Sequence, residues 1–430
     1  MISLIVVAAI IISIALGFKT KLNIGFFAIA FSYIIGCFML DLSASAVIRM
    51  WPITIFFVIF AVSVFYNFAI SNGTLEKLSQ YLLYSTRKAP HLLPYAIFFS
   101  ATLLAGLGAG YFTVLAFFAP ITLLLCEKTG LNKLVGAMSV NYGALAGANF
   151  MTSASGIIFK GLIEGAGYTE NVYSYTTPIF VSTMIIPIIV ITFFVFFTKG
   201  GKSMKVDLDI KKPEPLNDVQ KTTMKLIITM VAIVLAAPIG QLLLPNSETV
   251  AFISSKMDIG LIAIIFSIIA LLLKLGNEKE VISNVPWNTL IMICGVGMLI
   301  SVAIEAGTID ILAGWVGTNI PTILVPIVMC IIGGIMSVFS STLGVVAPAL
   351  FPTVPSIALA TGLNPTVLFV AIIVGAQATS ISPFSSGGSL VLGSVDEEDK
   401  DFMFGQLLFK GAPTALLAST IFSTILAILL

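Results

Sequence analysis

Apolar residues in this chain come in long blocks, without the strict alternation or one-sided stripes of a soluble fold. Blocks of membrane-crossing length lie near 2–18, 22–40, 51–71, 136–160 and 177–198. After a polar, lysine-rich interval at 199–222, more follow near 224–244, 258–275, 287–306, 366–392 and 408–430. About twenty predominantly apolar residues make one spanning helix, so the pattern predicts an all-α polytopic membrane protein with about ten transmembrane helices. Two further runs, 92–126 and 320–360, are too long for one span and carry small-residue breaks, GLGAG at 106–110 and SVFSSTLG at 337–344. They read as re-entrant hairpins. The spans at 136–160 and 366–392 are themselves broken, by GANFMTSAS (147–155) and ATSISPFSSGG (378–388). Non-helical backbone at such depth is tolerated only where it is buried in protein or lines a water-filled cavity.

The two halves match. TGLNKLV at 129–135 pairs with TGLNPTV at 361–367, and at the same spacing Pro120 meets Pro352, Gly143 meets Gly375 and Ser153 meets Ser385. Upstream, AISNGTLEKL (69–78) pairs with AIEAGTIDIL (303–312). Residues 1–198 thus form one repeat and 223–430 the other, joined by a linker at 199–222. Five crossings per half is odd, so the halves are expected to be inverted. Inverted repeats with interrupted helices mark secondary transporters, with the site where the breaks meet.

Composition agrees: 58% of the 430 residues are hydrophobic and 10% charged. A net charge of +1 points to no nucleic-acid partner. Cys37, Cys126, Cys294 and Cys330 stand singly in apolar runs and read as packing residues. The first block lacks a preceding basic stretch and reads as a retained span. Alternating the loops between two sides puts eighteen of the 21 basic residues on one of them. That side is then the cytoplasm, with both termini outside and 199–222 inside. Integration in the plasma (inner) membrane is expected.

The breaks carry the chemistry. Half-helix N-termini offer N–H groups and partial positive charge to a carboxylate, and half-helix C-termini offer carbonyls to a small cation. The candidate substrate contacts are Ser340, Ser341, Thr342, Thr379, Ser385 and Ser386 in the second half, with Thr113, Thr152 and Ser153 in the first. Gly110, Asn149, Ser155, Ser380 and Ser382 are candidates for a cation. No Asp, Glu, Lys or Arg falls within these breaks, whereas proton-carrying transporters bury a carboxylate on the pathway. Neutral oxygens favour Na⁺ as the coupling ion, with no other cofactor or metal. Glu305 and His91, the one histidine, read as boundary residues. Membrane proteolysis is excluded by the lack of a deep histidine, paired intramembrane Asp or HExxH, so no enzyme is expected.

The order of spans, hairpins and broken helices resembles the ion-transporter superfamily that includes the divalent anion/sodium symporters. NVPWNTLIMICGVGMLISVAIEAGTIDIL (284–312) and ATSISPFSSGGSLVLG (378–393) are most similar to its malonate/dicarboxylate carrier branch. In the symporters each hairpin tip carries Ser-Asn-Thr against substrate carboxylate. Ser340-Ser341-Thr342 is a close variant of that motif, and Gly110-Tyr111-Phe112-Thr113 departs from it. The resemblance implies a homodimer that moves small organic anions, C3/C4 dicarboxylates, by Na⁺-coupled alternating access. Proton-coupled or exchange carriage of carboxylates, and cation/H⁺ antiport, are the alternatives.

Overall fold

The computed structural model describes residues 2–85, 92–197, 212–243, 247–338 and 340–430. The expected sites at His91 and in most of the 199–222 linker therefore lie outside the described residues. The described chain is helical throughout. The first half contains α1 (Ile2–Thr20), α2 (Ile24–Met39), α3 (Ile53–Ser71), α4 (Leu93–Leu104), α5 (Tyr111–Thr129), α6 (Lys133–Ala148), α7 (Ala154–Gly165) and α8 (Tyr173–Phe197). The second contains α9 (Asp218–Leu243), α10 (Ile259–Leu272), α11 (Trp287–Glu305), α12 (Val325–Val338), α13 (Val354–Thr361), α14 (Pro365–Ala378), α15 (Ser386–Gly393) and α16 (Ala412–Leu429). Short helices connect them. Among the described residues, six helical stretches are long and apolar enough to cross a membrane: 53–71, 173–197, 287–305, 342–361, 365–393 and 400–429. Six shorter apolar helices accompany them, several of them cut short by the breaks.

Several positions 232 or 234 residues apart have the same local geometry. Asn132 caps α6 by accepting from the Leu134 amide, and Asn364 caps α14 by accepting from that of Thr366. Such caps satisfy amides that have no partner within the helix. Just upstream, α5 and α13 each end in a left-handed glycine, Gly130 (φ 74°) and Gly362 (φ 73°). Pro52 and Pro286 both stand before a long helix with φ −75°.

Two helices form the centre. Every residue of α6 from Leu134 onward is buried, as is every residue of α14 from Thr366 onward. A helix apolar all round belongs in a core. Small residues let neighbours approach closely: a Cβ on Gly143 would stand 2.3 Å from the Phe98 carbonyl oxygen of α4, and one on Gly375 2.0 Å from that of Cys330 in α12. The halves also interlock, because α2 packs on α11 and α3 on α10.

Candidate functional site

Four of the helix interruptions among the described residues fall at the expected breaks. In the first half, a π-turn at Ala105–Ala109 and Gly110 (φ 74°) separate α4 from α5, and residues 149–153 separate α6 from α7. In the second, α12 stops at Val338, and helix resumes from Thr342 with a π-turn to Val346. The fourth lies between α14 and α15. There Pro383 drives the residue before it out of the helical region, leaving Ser382 extended at φ −56°, ψ 136°.

The two second-half breaks face one another across a narrow cleft whose lining includes Ser340, Ser341, Thr342, Ser380, Ser385 and Ser386. Two helical N-termini end here. At one, the Ser341 oxygen accepts from the Gly344 amide at 3.2 Å, so its hydroxyl proton can serve a ligand. At the other, Ser385 accepts from the Gly388 amide at 3.1 Å and donates between the carbonyls of Ser380 at 2.5 Å and Ser382 at 2.8 Å. Thr342 pairs its hydroxyl with that of Ser337 at 3.3 Å. Converging N-termini with neutral donors suit a carboxylate. A larger, open vestibule of about 1580 Å³, including solvent at its mouth, reaches the same Ser340, Ser341, Ser385 and Ser386 from the side of Lys21, Asn23 and Asn288.

The first-half breaks make a different site. Ser153 donates among the carbonyls of Ala105, Gly106 and Gly147, at 3.0 to 3.1 Å, and so ties α7 to the tip. Beside it the Tyr66 hydroxyl adjoins that of Thr152, yet neither oxygen has a hydrogen-bond partner among the described residues, though both are buried. Unsatisfied polar atoms at such depth cost free energy and point to a missing partner.

The structure thus gathers six of the sequence-expected residues on one cavity and places the rest elsewhere. Thr379 donates to the Gly334 carbonyl at 2.7 Å, which locks α14 to α12. Asn149 is bound to Gln377 and to Thr183. Ser382 accepts from the Phe384 amide at 3.3 Å. Ser155 is buried in the first turn of α7, Thr113 is exposed on α5, and Gly110 has open space around it. A polar chain that sequence reading missed crosses the centre. Tyr111 donates to Asn141 Oδ1 at 2.7 Å, Asn141 Nδ2 donates to Ser380 at 3.0 Å, and Ser380 donates to the Gln377 carbonyl at 2.6 Å. Two carboxamides inside fully buried helices were the available signal, since such groups bond across helices in a membrane.

Paired broken helices that meet at a serine-lined cavity, within a polytopic helical fold, are the arrangement in which secondary transporters build their binding sites. Residues 1–148 match the family model described as dicarboxylate carrier protein MatC N-terminus, which supports the resemblance to the malonate/dicarboxylate carrier branch from a part of the chain other than 284–312 and 378–393. A sequence comparison with curated proteins finds no match. In fold, the chain is similar to the Alcanivorax borkumensis YdaH transporter, with TM-score 0.62 and 16% identity over 99% of this chain and 98% of that one. It is also similar to Neisseria gonorrhoeae MtrF, described with a class of antimetabolite efflux pumps. There the TM-score is 0.58 and the identity 14%, over 91% of this chain and 84% of that one.

Proposed function

We propose that this protein is a secondary active transporter of small organic anions, C3/C4 dicarboxylates, working by Na⁺-coupled alternating access between two inverted repeats. The observation that carries the reading is the meeting of two helical N-termini, at Ser341 and Ser385, on one cavity at the foot of an open vestibule. Backbone amides and hydroxyls there offer donors and partial positive charge without a fixed cation, so the carboxylate is held and can still leave. The match of residues 1–148 to a dicarboxylate carrier model supports that substrate class.

Na⁺ is written here as a second cargo. The unpartnered hydroxyls of Tyr66 and Thr152, beside the tip that ends α4, are neutral oxygens of the kind a dehydrated Na⁺ takes. The charge bias of the loops places the vestibule mouth, with Lys21, on the cytoplasmic side, in the plasma membrane. On that assignment the described conformation faces inward.

Drawing a dianion into a negative-inside cell opposes about 2.3 kcal/mol per charge per 100 mV. Two Na⁺ cancel that penalty, and a third makes the potential a driving force. The test is uptake of labelled malonate and succinate into proteoliposomes under imposed Na⁺ or pH gradients. Saturable uptake with a Hill coefficient for Na⁺ above one is expected. Uptake that persists in Na⁺-free buffer and follows the pH gradient would overturn the coupling and leave a proton-linked carrier.

A further inference from the structure

The vestibule leading to the second tip is lined by neutral residues with one exception. Asn288, Thr289, Met292 and the tip and break serines are neutral residues, and Lys21 is the one Lys, Arg, Asp or Glu among the described lining residues. Its position is held by the turn that joins α1 to α2. Lys21 has φ 62°, a conformation rare outside glycine and asparagine, and the next amide, Leu22, donates back to the Thr20 hydroxyl at 3.3 Å. Two residues on, Asn23 caps α2 at Gly25 and donates from Nδ2 to the Asn288 carbonyl at 2.7 Å. The turn is thereby tied to the start of α11, across the vestibule wall.

We propose that Lys21 is the charge-selecting residue of the transport path, drawing dianions into the vestibule in preference to monoanions and neutral acids. The inference rests on the anion-transport reading above. A single positive charge in a cleft with low-dielectric walls concentrates counter-ions and raises their capture rate. The attraction scales with ligand charge, so a dianion gains twice what a monoanion gains. Because Lys21 lines the vestibule on the side read as cytoplasmic, it acts on capture of substrate from that side and leaves the translocation step unchanged.

The test compares wild type, Lys21→Asn and Lys21→Arg in proteoliposomes oriented with the cytoplasmic face outward, with succinate as dianion and a monoanionic half-ester of succinate as its control. Asparagine removes the charge while tolerating the positive φ, so the turn is kept. For Lys21→Asn, KM for succinate is expected to rise about five- to tenfold at low salt. Its kcat should hold, the half-ester should be affected less, and the difference should shrink as ionic strength rises and the Debye length falls to about 8 Å. Lys21→Arg should behave as wild type. Equal KM and equal salt dependence in Lys21→Asn and wild type would overturn the proposal, as would a fall in kcat at constant KM. A wild-type protein that carries no anion would instead refute the transport reading itself, and the two failures are distinct.

Discussion

Asn149 and Gln377 grip one another through both ends of their carboxamides, Asn149 Nδ2 donating to Gln377 Oε1 at 2.9 Å and Gln377 Nε2 to Asn149 Oδ1 at 3.0 Å. The pair joins the end of α6 to the end of α14, where both central helices break, and Asn149 also donates to Thr183 on α8. Removing Asn149 leaves the buried Gln377 carboxamide unpaired, and removing Gln377 leaves Asn149 with Thr183 alone. Asn149→Ala or Gln377→Ala should each destabilise the protein by about 1–3 kcal/mol, read as thermal stability in detergent. The double variant should lose less than the sum, because the two groups form one interaction. Strict additivity would show that the pair is not coupled.

At the second tip, Thr342 and Ser386 line the cavity, whereas Ser341 and Ser385 also cap helical amides. Ser341→Ala therefore mixes binding with folding, since a lost cap alone costs about 1 kcal/mol. Thr342→Val and Ser386→Ala separate them. A hydrogen bond to a charged ligand contributes roughly 1.5–3 kcal/mol, so each change should weaken substrate affinity at least tenfold with little loss of stability. Ser283→Ala, on an exposed connecting helix, should do nothing. Unaltered KM in both tip variants would remove this cavity as the substrate site.

The two halves should also fail alike. Alanine at Gly143 or Gly375 drives a Cβ against a backbone carbonyl, which cannot turn aside as a flexible side chain would. Overpacking of this kind costs typically about 1–3 kcal/mol, and both variants should lose thermal stability by similar amounts. Gly393→Ala meets nothing within 4 Å and should be neutral or slightly stabilising. A tolerant Gly143 beside an intolerant Gly375 would show that the central packing differs between halves.

Sidedness has a direct readout. Thr169 and Glu278 are both exposed, Thr169 in the turn after α7 and Glu278 at the start of a short helix before α11. In intact cells a membrane-impermeant thiol reagent should label Thr169→Cys and spare Glu278→Cys. The reverse pattern would discard the orientation and, with it, the inward-facing assignment of the vestibule.

The places where helix stops were legible along the chain because their causes are local. Gly110 takes a left-handed conformation, Pro383 pushes Ser382 into an extended one, and Asn132 and Asn364 cap the helices that follow them. Each acts within a few residues, and the same motifs recur in both halves. Which hydroxyl is free for a ligand was decided by the assembled fold. A serine or threonine has one proton to donate, and the nearest acceptor takes it, wherever in the sequence that acceptor lies. Thr379 donates to Gly334, Ser153 is shared among Ala105, Gly106 and Gly147, and Asn149 meets Gln377 from the other half. The same packing joins Tyr111, Asn141 and Ser380 into one chain. It leaves the Tyr66 and Thr152 hydroxyls without hydrogen-bond partners among the described residues and sets Lys21 in the lining of the vestibule. Local rules act over a turn or two of backbone, whereas these contacts depend on how α6 and α14 pack against their neighbours in three dimensions.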